Sequence, residues 1–113
     1  IDEGLSYTLE NIEAVRAALP DKHMAILEAG WATVAGEFGE RANEANQARY
    51  YRELQGWARA TNTTVFFFEA FDEPWKGNPH DPLGAEKHWG LFNVDRTPKQ
   101  LLREHPDVNR AAK

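Results

Sequence analysis

Apolar residues recur at Leu5, Leu9, Ile12, Val15, Ala18 and Leu19, a spacing of three and four that predicts a helix from Leu5 to Leu19. Pro20 stops it, and Asp21-Lys22 turns the chain into a short apolar strand, His23 to Glu28. Residues 32–41 hold Gly36 and Gly39 with no clean period, which predicts a loop on the rim where the strand ends. Helical spacing returns from Asn43 to Ala60, with Ala45, Ala48, Tyr51, Leu54, Trp57 and Ala58 on one stripe. Thr61-Asn62-Thr63 ends that helix and leads into a second strand, Thr64 to Ala70. Its run Val65-Phe66-Phe67-Phe68 lacks period-two alternation, as expected of a parallel strand covered on both faces. Asp72 to Asp95 is a long loop with Pro74, Gly77, Pro79, Pro82 and Gly84. Loops of this length inside compact domains are usually functional or disordered. Thr97-Pro98 predicts an N-cap followed by proline at the first helical position, opening a short helix through Leu101-Leu102. Residues 105–113 form a polar tail expected to fray.

The order is therefore αβαβα, with crossovers long enough for a parallel sheet. The two strands are expected to pair as parallel neighbours across a right-handed crossover through the helix from Asn43 to Ala60. Two strands cannot bury both of their apolar faces alone. The chain is thus expected to be part of a larger barrel, or to complete itself by association.

Length and charge narrow the picture. The chain has 113 residues, enough for one domain but about half of a ~250-residue eight-stranded barrel. Its 13 basic and 18 acidic residues give a net charge of −5 with no basic block, against a phosphate-binding or nucleic-acid role. Cysteine is absent, which excludes disulfides and thiolate metal sites. No apolar run approaches the ~18 residues that would span a bilayer. The start at Ile1-Asp2, without a Met or a signal-like segment, predicts an excised or processed piece. The four histidines, at 23, 80, 88 and 105, have no pairing at ligand spacing, so no metal site is expected. Asn62-Thr63-Thr64 fits the N-glycosylation pattern, a short signal that often arises by chance.

The chemistry gathers at the two strand ends. Glu28 stands where the first strand gives way to Ala29-Gly30-Trp31. A glycosidase nucleophile has to be ionised, rigid and aimed at an anomeric carbon, and a strand tip meets those needs. Trp31 offers an apolar face to a sugar ring; the plain alternative is a strand-end Glu in an ordinary ion pair. After the second strand come Glu69, Asp72 and Glu73, a carboxylate cluster with Lys76 as the nearest compensating cation and Trp75 adjoining. That set suits a clamp for sugar hydroxyls, or else an acid-rich turn. Glu86-Lys87-His88-Trp89-Gly90 repeats the mixture, and by composition is equally a solvated turn with one anchoring Trp. Tyr50, Tyr51 and Trp57 fall on the helical stripe and read as core.

The segments I-L-E-A-G-W-A-T, N-Q-A-R-Y-Y-R-E-L, F-F-F-E-A-F-D-E-P-W-K and E-K-H-W-G-L-F, in this order and spacing, resemble the C-terminal portion of glycoside hydrolase family 17. That family comprises β-1,3-glucanases and β-1,3-glucanosyltransferases, and the wording is nearest its bacterial and fungal branch. The resemblance implies an α/β fold in which residues 1–104 form the last two strands and flanking helices of a (β/α)8 barrel with retaining chemistry. It implies Glu28 as nucleophile and Trp31, Glu73, Lys76, Glu86 and Trp89 as substrate-binding residues. It implies no cofactor, a β-1,3-glucan or oligosaccharide substrate, and an extracellular, periplasmic or cell-envelope setting. The family's general acid/base follows an Asn on an earlier strand, and nothing in the chain matches it, so the catalytic pair is expected to be split. The remaining partner is then the upstream part of the barrel, or a second copy of the chain. A non-catalytic carbohydrate-binding or structural remnant of such a barrel is the alternative.

Overall fold

The computed structural model describes residues 2–105. The elements run α1 (Asp2–Ala18), β1 (Ala25–Ala29), α2 (Glu44–Ala60), β2 (Thr64–Phe67) and α3 (Gln100–Glu104), with 3-10 turns at Gly36–Arg41 and Ala85–Lys87. The polar tail expected over residues 105–113 lies, past His105, outside the described residues.

β1 and β2 pair in parallel, with Ala25 opposite Thr64, Ile26 opposite Val65 and Ala29 opposite Phe67, and a register shift between Ile26 and Ala29. The expected neighbours are thus neighbours, joined through α2. Asn43 caps that helix, its side-chain carbonyl accepting from Asn46 N–H at 2.8 Å and satisfying one of the unpaired amides of the first turn. α2 buries Gln47, Ala48, Tyr50, Leu54 and Ala58. Tyr50 and Tyr51 reach the β2 side chain Phe67, with ring centroids 6.4 and 4.9 Å apart. Ala45, expected on the buried stripe, is exposed instead, and Gln47 takes a place there. α1 lies against α2 through Thr8 Oγ1 and Tyr50 Oη (3.1 Å), and through Arg16, which hydrogen-bonds Thr63 and lies over the Trp57 ring.

Two expectations change. The second strand stops pairing with β1 at Phe67, and residues 69–72 turn to a new neighbour. Leu91 N–H donates to Glu69 C=O, Phe92 N–H to Ala70 C=O, and Asp72 N–H to Phe92 C=O, each at 2.9 Å. The last helix begins at Gln100, because Thr97 is already engaged: its N–H and hydroxyl both donate to Asp95 Oδ1. Glu44 of α2 caps α3 from outside, accepting from Gln100 N–H at 2.7 Å and pairing with Arg103.

The helices cover one face of the strand pair. On the other face Leu27 is 76% and Phe66 58% exposed, while Ile26 and Val65 are half-buried. The reading of β2 as covered on both faces therefore fails within this chain, since no described element lies on the second face. Val15 and Leu19, expected on the buried stripe of α1, are also about half exposed. A bare aromatic face flanked by unpaired strand edges is a pairing surface in water. The isolated chain is expected to self-associate at micromolar concentration, and sedimentation equilibrium checks this. A clean 12.9 kDa species with cooperative unfolding would contradict it.

Candidate active site

Both strands end at one rim, and two glycines let the backbones close there. Phe68 N–H donates to Ala29 C=O at 2.8 Å, so Phe68 lies beside the end of β1. A Cβ on Gly30 would stand 2.0 Å from the Phe68 carbonyl oxygen and 3.1 Å from the Trp89 ring. A Cβ on Gly90 would meet Asp72 N at 2.2 Å. Any side chain at either position drives a backbone away. Gln47 ties the same region from behind. Its Nε2 lies 3.0, 3.2 and 3.1 Å from the carbonyls of Trp31, Trp89 and Gly90, so its two N–H groups are shared among three backbone acceptors.

Glu28 is exposed on this rim, one residue before the end of β1. The second strand contributes the charged group. Lys76 Nζ donates to Glu69 Oε2 at 3.0 Å and is ion-paired to Glu73 as well. The ammonium lies over the face of Phe68, 4.6 Å from the ring centroid, and Phe68 meets Trp89 edge-on at 6.2 Å. The buried Lys87 donates its ammonium to the Lys76 backbone carbonyl, fixing the turn that carries Lys76. Burial pushes the Glu69 carboxyl above the ordinary carboxylate range, against the hydrogen bond from Lys76. Glu73 is held below that range, chiefly by Lys76, and Lys76 is raised, chiefly by Glu73. One carboxyl of the pair thus binds a proton more readily while the other keeps its charge.

The other expected residues distribute differently. Asp72 is not part of the clamp: it is buried, with Lys99 Nζ 2.7 Å from Oδ1 and Gly90 N–H donating to the same oxygen at 2.9 Å. Lys99 Nζ also reaches Thr33 Oγ1 at 2.7 Å. Burial lowers the Lys99 ammonium below its ordinary value, with Asp72 opposing. Glu86 is exposed on the 3-10 turn beside Gly77. Trp75 is 72% exposed. Trp31 packs its ring against Gly4 and Tyr50 (centroids 5.4 Å) and donates its indole N–H to Arg41 C=O. Trp31 and Trp89 share a cleft of about 710 Å³ with Tyr7, Phe38 and Tyr50, and no acid lines it. Among the described residues no group of His, Asp and Glu is arranged to hold a metal ion. No described helix is long and apolar enough to cross a membrane. Lys99 and Gln47 escaped the reading of the sequence, and Lys87 was read only within the mixed segment 86–90 with no sign of its burial, because buried polar residues have no periodic signature of their own.

Residues 1–90 match the BtgE/BtgC glycoside hydrolase domain. The chain belongs to that family, within glycoside hydrolase family 17. A glucan 1,3-β-glucosidase of Arthroderma benhamiae is 40% identical over 86 residues, 68% of this chain and 27% of the relative. The endo-laminarinase of Formosa Hel1_33_131 superposes with a TM-score of 0.76 at 30% identity, over 93% of this chain and 29% of that one. An active-site mutant of the Rhizomucor miehei β-1,3-glucanosyltransferase in complex with laminaritriose gives 0.71 at 27% identity, over 85% and 34%. The chain thus spans about a quarter of the length of the curated family members it matches.

Proposed function

We propose that this chain forms the C-terminal part, the last two strands, of a retaining (β/α)8 enzyme that cleaves or transfers β-1,3-glucan. The observation that supports the reading is the shared rim: β1 and β2 pair in parallel, so Glu28 near the end of β1 and the Glu69–Lys76–Glu73 group after β2 follow the same ends of neighbouring strands. Family membership and relatives named as 1,3-β-glucosidases support the substrate class. In this reading Glu28 attacks the anomeric carbon, and the glycosyl-enzyme ester forms as the glycosidic C–O bond breaks. An acid on an earlier strand, about 5–5.5 Å from Glu28, protonates the leaving oxygen and then deprotonates water or a sugar hydroxyl. Water gives hydrolysis and a glucan hydroxyl gives transfer. Glu73, Lys76 and Glu86 orient hydroxyls, while Trp31 and Trp89 supply apolar walls. The earlier strands of the barrel cover Leu27 and Phe66.

Reducing-sugar release from laminarin tests this. The complete barrel is expected to release sugar and the 113-residue chain alone to release none, because one carboxyl of the pair is elsewhere. Release by the pure chain, abolished in Glu28→Gln, would overturn the split and make Glu73 the candidate acid.

A further inference from the structure

An ammonium has three N–H donors on a freely rotating carbon, so a lysine that orients a substrate needs its rotation fixed by other groups. Lys76 has such groups on three sides. Glu69 accepts at 3.0 Å, Glu73 is ion-paired to it, and the Phe68 ring lies beneath at 4.6 Å. Glu69 differs from Glu73 in its setting. Its side chain is 14% exposed against 25%, and its Oε1 is buried with no hydrogen-bond partner among the described residues. Glu69 also belongs to the rim backbone itself, its C=O accepting from Leu91 N–H and its N–H donating to Trp89 C=O. It is therefore the most firmly anchored partner that Lys76 has.

We propose that Glu69 is a positioning residue: with Glu73 it takes up two N–H directions of Lys76 above the Phe68 ring, so that the third is held toward a sugar hydroxyl. This rests on the reading of the rim as a glucan site. Glu69 does not touch the reacting atoms; it acts through Lys76. The protonation order fits. Burial makes Glu69 the first of the two carboxyls to take a proton on acidification; its carbonyl oxygen still accepts from Lys76, but the bond loses its charge while the charge on Glu73 persists. Substrate binding then weakens on the acid side, above the ordinary Glu value of 4.5 and by no more than Glu69→Gln weakens it.

The test uses the complete barrel with 15N-labelled lysine and three proteins: wild type, Glu69→Ala and Glu69→Gln. The amide oxygen of Gln still accepts from Lys76 but cannot titrate. In Glu69→Ala, KM for laminari-oligosaccharides is expected to rise about tenfold, the scale of one hydrogen bond to a charged group, with kcat changed less than threefold. Glu69→Gln should restore KM to within about threefold and lose the acid-side rise in KM. The Lys76 ammonium resonance should broaden by faster proton exchange in Glu69→Ala and recover in Glu69→Gln. An unmoved Lys76 resonance in Glu69→Ala overturns the proposal whatever KM does, and so does a KM within twofold of wild type. The resonance is read without substrate, so a barrel inert on β-1,3-glucan would sink the functional reading and still leave the Glu69–Lys76 coupling measurable.

Discussion

Replacing Glu28 by Gln in the complete barrel is expected to lower β-1,3-glucan turnover by on the order of 10⁴-fold or more, the scale on which loss of a covalent nucleophile acts. The amide is nearly isosteric but cannot form the ester intermediate. Folding should be little affected, because Glu28 is exposed and makes no ion pair among the described residues. Glu28→Ala adds a chemical readout. With the carboxylate removed, azide can reach the anomeric carbon from the face Glu28 occupied; a C–N bond forms, the glycosidic C–O bond breaks, and the leaving oxygen takes its proton from the acid on the earlier strand. A β-linked glucan then yields the α-glucosyl azide by a single inversion. A β-azide would instead assign Glu28 the acid/base role, and no rescue with unchanged turnover would remove it from the chemistry.

Lys99→Met is expected to destabilise the barrel by about 3–5 kcal/mol, the cost of stranding one partner of a buried ion pair. Lys99 is 1% exposed, and Asp72, whose Oδ1 it holds, is 7% exposed. Gly90 N–H still donates to Asp72 after the change, which argues for the lower half of that range. Urea unfolding at pH 7 measures the loss, provided the slope with urea is unchanged. The pH dependence has a definite sign. The folded value of Lys99 lies below the unfolded value of 10.5, so between the two the unfolded chain binds more protons and stability rises with pH. Wild type should therefore gain on Lys99→Met as the pH is raised toward 10.5. A loss of under 1 kcal/mol at pH 7 would show that Asp72 finds other donors.

The parallel strand pair and α2 were legible because their signals are periodic: an apolar run, a helical stripe and a crossover of sufficient length. The rim acids were legible as residues following strand ends, and the family motifs sharpened them. The side to which each acid points was not. Asp72 and Glu73 look alike in composition, yet one is buried under Lys99 and the other pairs with Lys76. That division depends on the residue 69–72 segment leaving β1 to pair with residues 89–92, a long-range choice invisible in local pattern. The start of α3 was misplaced for a similar reason, since Asp95 captures Thr97 locally and Glu44, 56 residues away, performs the capping. Trp31 was read as an aromatic facing sugar; its ring packs on Gly4 and Tyr50 and also lines the cleft it shares with Trp89, a seat set by the helix layer and not by local pattern.

The Gln47 amide, shared among the carbonyls of Trp31, Trp89 and Gly90, separates two kinds of loop. Backbone inside its reach is clamped to α2, while residues 77–84 hang beyond it, mostly exposed. That outer span can change in length and sequence without moving the three carbonyls that Gln47 holds. The clamp thus divides the rim into a part tied to the helix layer and a part free to vary.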